Sequence, residues 1–169
     1  MLNIFMRILG IDPGYGRMGY GVIEKKQSGQ WKALVYGCLN TDSKKSFVCR
    51  LMEIKEKVDA LSKKYKPEVM GVEKLFFFKN AKTAMDVGQA RGAILLAGIE
   101  NKMEIYEFTP LQVKQAITGY GKAEKKQIQK MTATVLGLKQ KIKSDDAADA
   151  LAVAVCAAQR LWMEKIKSR

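Results

Sequence analysis

Hydrophobic positions change period several times along the chain, and each change marks an element. Met6–Asp12 carries the apolar run Ile8-Leu9-Gly10-Ile11, then Asp12 and the turn pair Pro13-Gly14, and reads as a strand entering a turn. Gly19–Glu24 and Trp31–Thr41 read as two further strands, with Ser28-Gly29 turning between them. From Phe47 to Tyr65 the period shifts: Val48, Leu51, Ile54, Val58 and Leu61 recur at helical steps until Pro67 stops the run. Val69–Val72 is a short apolar strand closed by Glu73. Asn80–Glu100 reads as a second helix with Asn80 as its N-cap, and Ile105–Phe108 as a fifth strand. Helices are expected at Leu111–Thr118 and Glu124–Leu136, with Gly119 and Gly121 between them, and a last one from near Ser144 to near Lys165. Three strands in succession favour antiparallel hairpins, and the later alternation of helix and strand favours parallel additions. The expectation is one α/β domain over residues 1–169, with a mixed five-stranded sheet and helices on both faces.

Composition narrows the function. At 169 residues and 47% hydrophobic, the chain can bury a core without staples. No apolar run is long enough to span a membrane, and the first five residues lack the features of a signal peptide. Cys38, Cys49 and Cys156 are odd in number and widely spaced, which suits a reducing cytoplasm rather than a disulfide framework. Lys and Arg outnumber Asp and Glu by 30 to 17, giving a net charge of +13, a surplus that favours a polyanionic partner such as nucleic acid. The surplus is concentrated: Pro110–Lys143 holds eight lysines and one acid, Glu124. There is no histidine, which excludes Ser-His-Asp and Cys-His catalysis and histidine-bound zinc, and leaves carboxylates, lysines and tyrosines for any acid–base or metal chemistry.

Carboxylates stand at the ends of apolar segments in three places. Asp12 closes the first strand, Glu73 closes the fourth, and Asp145, Asp146 and Asp149 open the last helix. If the first and fourth strands are parallel neighbours, Asp12 and Glu73 emerge at the same sheet end. Asp146 and Asp149 share a helix face, but so do Asp145 and Asp149, and spacing does not choose between the pairs. Hard cations such as Mg²⁺ bind carboxylate oxygens, and crowded carboxylates raise one another's pKa unless a cation is present. Two ions about 3.5–4 Å apart would make such a cluster a clamp for phosphodiester hydrolysis. Each segment taken alone also has a plainer reading, as a turn, a strand end or a helix cap. The alanine-rich helix after Asp149 argues against dismissing that acid as merely solvated.

The segments Ile8-Leu9-Gly10-Ile11-Asp12-Pro13-Gly14, Gly88-Gln89-Ala90-Arg91-Gly92 and Asp146-Ala147-Ala148-Asp149-Ala150-Leu151, with Glu73 between the first two, resemble the motifs of the RuvC family of bacterial Holliday-junction resolvases. The resemblance runs from Met6 to about Ala158. It implies a ribonuclease H-like fold and a homodimer, with paired, symmetric cleavage of four-way DNA junctions using two ions of Mg²⁺, for which Mn²⁺ can substitute. By motif position it gives Asp12, Glu73, Asp146 and Asp149 the catalytic, metal-binding roles, and so selects Asp146 over Asp145. Lys139–Lys143 runs slightly longer than the family's usual approach to the last helix, and Asp145 is an extra acid. RuvA- and RuvB-like branch-migration proteins are expected partners.

Several further residues are candidates for DNA contact. Phe76, Phe77 and Phe78 follow Glu73; two of them are expected in the core, while Phe76 matches the position of the family's junction-probing aromatic. Lys114 and Lys125 match basic positions that contact DNA backbone in the family, and Lys122 and Lys126 stay open. Ala81, Ala84, Met85, Gly88, Gly92 and Leu95 form a stripe of largely small residues on the second helix, suited either to packing on the sheet or to a two-fold dimer contact. Arg91 has two readings, a phosphate contact or a partner for an acid. Two other functional classes fit parts of the pattern. An actin-like phosphotransferase shares the Asp-x-Gly turn but normally needs two such lobes. A passive DNA-binding module would gain nothing from four acids facing phosphate.

Overall fold

A computed structural model of the chain describes residues 6–74 and 81–167. Phe76, Phe77, Phe78 and Asn80 therefore lie outside the described residues. The elements are β1 (Arg7–Asp12), β2 (Arg17–Lys25), β3 (Trp31–Asn40), α1 (Phe47–Tyr65), β4 (Val69–Glu73), α2 (Ala81–Glu100), β5 (Glu104–Phe108), α3 (Pro110–Thr118), α4 (Lys125–Val135) and α5 (Asp145–Lys167). The strands form one sheet in the order β3-β2-β1-β4-β5. The hairpin-connected pairs β1–β2 and β2–β3 are antiparallel, while β1–β4 and β4–β5 are parallel. This is the mixed, five-stranded sheet expected from the sequence.

β1 is buried on both sides, and its alternation divides the core. Ile8 faces a cluster with Val113, Ile128 and Leu151, from α3, α4 and α5. Leu9 and Ile11 face the opposite cluster, with Ile54 and Val58 of α1 and Ile94 and Ala97 of α2. Helices thus cover both faces.

On the α5 side, Gly10 of β1 lies between its cross-strand partners Gly21 of β2 and Gly71 of β4. The three glycines form a floor across the centre of the sheet. A Cβ on Gly10 would stand 2.0 Å from the Ala150 carbonyl oxygen, and one on Gly21 2.6 Å from Leu151 Cδ2. α5 meets this floor with its own small residues: Ala147, Ala150, Ala154 and Ala157 are buried. Glycine facing alanine lets a helix backbone approach a sheet far more closely than larger side chains would allow.

Capping accounts for the differences at element ends. The Ser144 hydroxyl accepts a hydrogen bond from the Ala147 N–H at 3.3 Å, so the last helix begins one residue later, at Asp145. α3 begins at Pro110 because Thr109 and Gln112 form a capping box, with Thr109 Oγ1 accepting from the Gln112 N–H and Gln112 Oε1 from the Thr109 N–H. Glu73 belongs to β4 itself, pairing with Phe108 of β5.

The glycine floor can be tested directly. Gly10→Ala pushes a methyl group into the α5 backbone, and overpacking of this kind costs about 1–3 kcal/mol. Thermal melting should show Tm lowered by several degrees, since about 1 kcal/mol moves a domain of this size by roughly 2–4 °C. An unchanged Tm would mean that α5 does not rest on this floor.

Candidate active site

The sheet register builds the site. Ile11 pairs with Val72 in parallel, so Asp12 and Glu73, the next residues along, leave the sheet side by side at the same end. On its other flank Asp12 pairs with Gly19. A Cβ on Gly19 would stand 2.0 Å from the Asp146 carbonyl oxygen, so this glycine admits the first turn of α5 to the β1 end. Asp149 follows one turn later. β1, β4 and α5 thereby bring Asp12, Glu73, Asp146 and Asp149 to one place.

The electrostatics bear the strain of that crowding. Burial, followed by the charges of Glu73, Asp149 and Asp146, pushes the Asp12 carboxyl up to about 8. Burial and then Asp149 push Glu73 up to about 7. Burial also raises Asp149, against the opposing pull of Lys125. Lys125 Nζ lies 3.1 Å from Asp149 Oδ2 and 3.4 Å from Asp145 Oδ2. Burial alone would lower this ammonium, yet its bond to Asp149 and the charge of Asp145 hold it above its usual range.

Asp146 has partners of its own. Arg17 Nη2 lies 2.5 Å from its Oδ2, and the Cys38 thiol donates to the same oxygen at 3.5 Å. Sequence reasoning missed both residues. The β1–β2 hairpin carried the signal for Arg17, which stands two residues before the glycine paired with Asp12.

Four carboxylates form a hard oxygen donor set suited to a divalent cation, and the mutual repulsion around Asp12 is relieved by positive charge. Among the described residues, however, no three Cys, Asp or Glu side chains converge as ligands to one ion. The carboxylates of Asp149 and Asp146 turn to Lys125 and Arg17 instead. The donor chemistry fits a metal provided these side chains exchange their ammonium and guanidinium partners for it.

Lys114 and Lys125 line a cavity of about 210 Å³ with Glu73 and Asp149, so both lysines named from the sequence reach the acidic site. Asp145 turns elsewhere: Gln129 Nε2 donates to its Oδ1 at 2.8 Å, and its side chain is 64% exposed. Arg91 pairs with Glu107 of β5, which supports the second of its two readings. Phe76 lies outside the described residues. The stripe on α2 divides between its two readings. Leu95 packs partly onto the core, whereas Met85, Leu96 and Ile99 are exposed, and a Cβ on Gly88 or Gly92 would meet none of the described residues within 4 Å.

A family model described as "Crossover junction endodeoxyribonuclease RuvC" matches residues 8–157. Two relatives bearing that description are each 51% identical to the chain. One, from Caldicellulosiruptor saccharolyticus, aligns over 89% of this chain and 91% of its own; the other, from Moorella thermoacetica, over 96% and 97%. Among solved structures, Thermus thermophilus RuvC superposes with a TM-score of 0.86 at 34% identity, covering 94% of this chain and 97% of that one. The same protein in complex with Holliday junction substrate gives 0.84 at 31%, covering 94% and 96%. The yeast mitochondrial Holliday junction resolvase Ydc2, at 14% identity and a TM-score of 0.66 over 96% and 84%, shares the fold. That fold is ribonuclease H-like.

The raised acids make a prediction for the metal-free protein. In the unfolded chain Asp12 and Glu73 release their protons near 3.8 and 4.5, but in the folded chain near 8 and 7. The folded state binds more protons between those limits, so this contribution makes stability fall as pH rises from about 4 to about 8. Carboxylates held low by ion pairs, such as Glu24, are ionised in both states above about pH 5 and add no slope there. Urea titrations in chelator should therefore show lower stability at about pH 9 than at about pH 5.5, with Asp12→Asn removing a few kcal/mol of that difference. A parent protein equally stable at both pH values would contradict the crowded, buried site.

Proposed function

The chain belongs to the RuvC family of crossover junction endodeoxyribonucleases, and from that membership we propose that it is a Holliday-junction resolvase, a metal-dependent endonuclease acting in DNA recombination and repair. It makes paired, symmetric nicks in four-way DNA junctions. The observation that carries this reading is the meeting of Asp12 and Glu73, side by side at one sheet end, with the first turns of α5. We further propose that residues 1–169 act as a single nuclease domain. Among the described residues no helix is long and apolar enough to cross a membrane, and the reading puts the protein in the cytoplasm with its DNA.

In this proposal Asp12, Glu73, Asp146 and Asp149 hold two Mg²⁺ ions, with Mn²⁺ able to replace them. When bound, the ions supply an activated water and charge stabilisation at the leaving oxygen. The chain's own residues do the rest. Lys114 and Lys125, on the rim of the acidic cavity, hold phosphate oxygens and keep the backbone in place. Lys125 has a second task, since its bonds to Asp149 and Asp145 neutralise the acids while no substrate is bound. Arg17 plays the same part at Asp146. Phe76 is assigned to stacking on unpaired junction bases.

Two coordinated cuts call for two sites, and the exposed face of α2 offers the contact for a homodimer. Met85, Leu96 and Ile99 are 73%, 56% and 63% exposed, and the bare backbone at Gly88 and Gly92 permits close approach of a second helix. A two-fold axis there matches the symmetry of the substrate. RuvA- and RuvB-like branch-migration proteins are the partners this family membership points to.

Asp12→Asn should lower nicking of a synthetic junction in Mg²⁺ by more than about 100-fold, the upper end of what losing an outer-shell partner costs. Junction binding in a gel-shift assay should persist. Paired nicks at the parent's rate would sink the assignment of Asp12. Leu96→Glu with Ile99→Glu should turn a sedimenting dimer into a monomer, and uncouple the two cuts so that singly nicked junctions accumulate. A parent protein that sediments only as a monomer at micromolar concentration would rule out the preformed pair.

A further inference from the structure

A basic groove lies beside the acidic site and takes no part in the mechanism above. Lys126 and Lys130, one turn apart on α4, form one wall; Lys139 and Lys141, from the connection into α5, form the other. Leu138 and Ile142 lie along its floor, and Ile142 is buried. The groove encloses about 440 Å³, and among the described residues no acidic one lines it. All four lysines are exposed, and among the described residues none of them forms an ion pair. Like charges one helical turn apart repel each other, so the α4 wall is unfavourable until an anion covers it.

Lys126 follows Lys125, the residue bonded to Asp149, and Gln129 within the groove lining donates to Asp145. The near end of the groove is thus tied by hydrogen bonds to the first two turns of α5, which carry Asp146 and Asp149. A phosphodiester backbone offers what this shape would hold: anionic oxygens at regular steps for the lysines, and apolar sugar carbons between them for the Leu138 and Ile142 floor. A free phosphate would satisfy the lysines and leave the floor uncovered, and the groove's continuity with the acidic site favours the backbone of the DNA cut there over an acidic peptide.

We propose that this groove is a DNA-binding site that seats the sugar–phosphate backbone of a junction arm leading away from the cleaved phosphate, without regard to base sequence. The proposal rests on the resolvase reading. The groove extends the footprint of the protein along the arm and takes no part in the chemical step.

The test uses the full chain carrying Asp12→Asn, so that a bound junction stays intact, and measures affinity for a four-way junction across a series of KCl concentrations. Lys130→Ala with Lys141→Ala should weaken binding and reduce the slope of log K against log[salt] by about 2, since each phosphate contact contributes roughly 0.9. Lys130→Gln with Lys141→Gln should give the same reduction. Lys26→Ala with Lys63→Ala removes as much charge at the opposite end of the sheet and should leave the slope unchanged. In the cleavage-competent chain, the groove variants should nick saturating junction at the parent's rate. A slope equal to the parent's, or an equal loss in the Lys26/Lys63 variant, overturns the groove. So does a drop in nicking at saturation, which would put these lysines in the chemical step. If the Asp12→Asn parent binds a four-way junction no better than linear duplex, the resolvase reading fails and the groove assignment with it.

Discussion

The structure depends on how closely α5 lies against the sheet. Gly10, Gly21 and Gly71 leave the centre of the sheet without side chains on one face, and the alanines of α5 descend onto it. That contact fixes the height of the helix. Its first turn can then pass over Gly19 and bring Asp146 to the end of β1. If the helix sat higher by the length of one side chain, the acids of α5 would no longer meet those of β1 and β4. The glycines that look like a weakness in β-strands are what allow the site to exist.

The same closeness creates an electrostatic problem that the basic residues contain. Four carboxylates gather in a partly buried corner, and Asp12 is driven up to about 8 by burial and by its neighbours. Lys125 and Arg17 answer part of that charge from outside the cluster. Both pairings are partly exposed, and exposed ion pairs hold only weakly. Such pairs restrain the acids and can still give them up to a stronger cation. The corner therefore departs from the local economy of the rest of the fold, as is expected of sites kept for chemistry.

Much of this was legible in the sequence because it rests on local patterns. Asp12 and Glu73 stood out as acids ending apolar runs, and parallel pairing of their strands was enough to join them. The lysines at 114 and 125 were named from motif position, and both line the acidic cavity. The choice between Asp145 and Asp146 was not legible from spacing, since both positions share a face with Asp149. In the fold Asp146 meets Gly19, Arg17 and Cys38, which lie more than a hundred residues earlier and reach α5 only in the folded chain. The outer face of α2 stayed open between packing and dimer contact, because a helix covered on one side by the sheet does not reveal from its small residues alone which apolar neighbours, such as Leu96 and Ile99, stay outside.

In the proposed function the four acids form a cation site held in reserve by Lys125 and Arg17. The most direct measurement is a crystal structure of the protein soaked in Mn²⁺, with anomalous diffraction locating the metal. The expected result is Mn²⁺ bound by carboxylate oxygens of Asp12 together with Glu73, Asp146 or Asp149, and Lys125 moved off Asp149. Anomalous peaks only at other places, with the Lys125–Asp149 contact intact at saturating Mn²⁺, would contradict it.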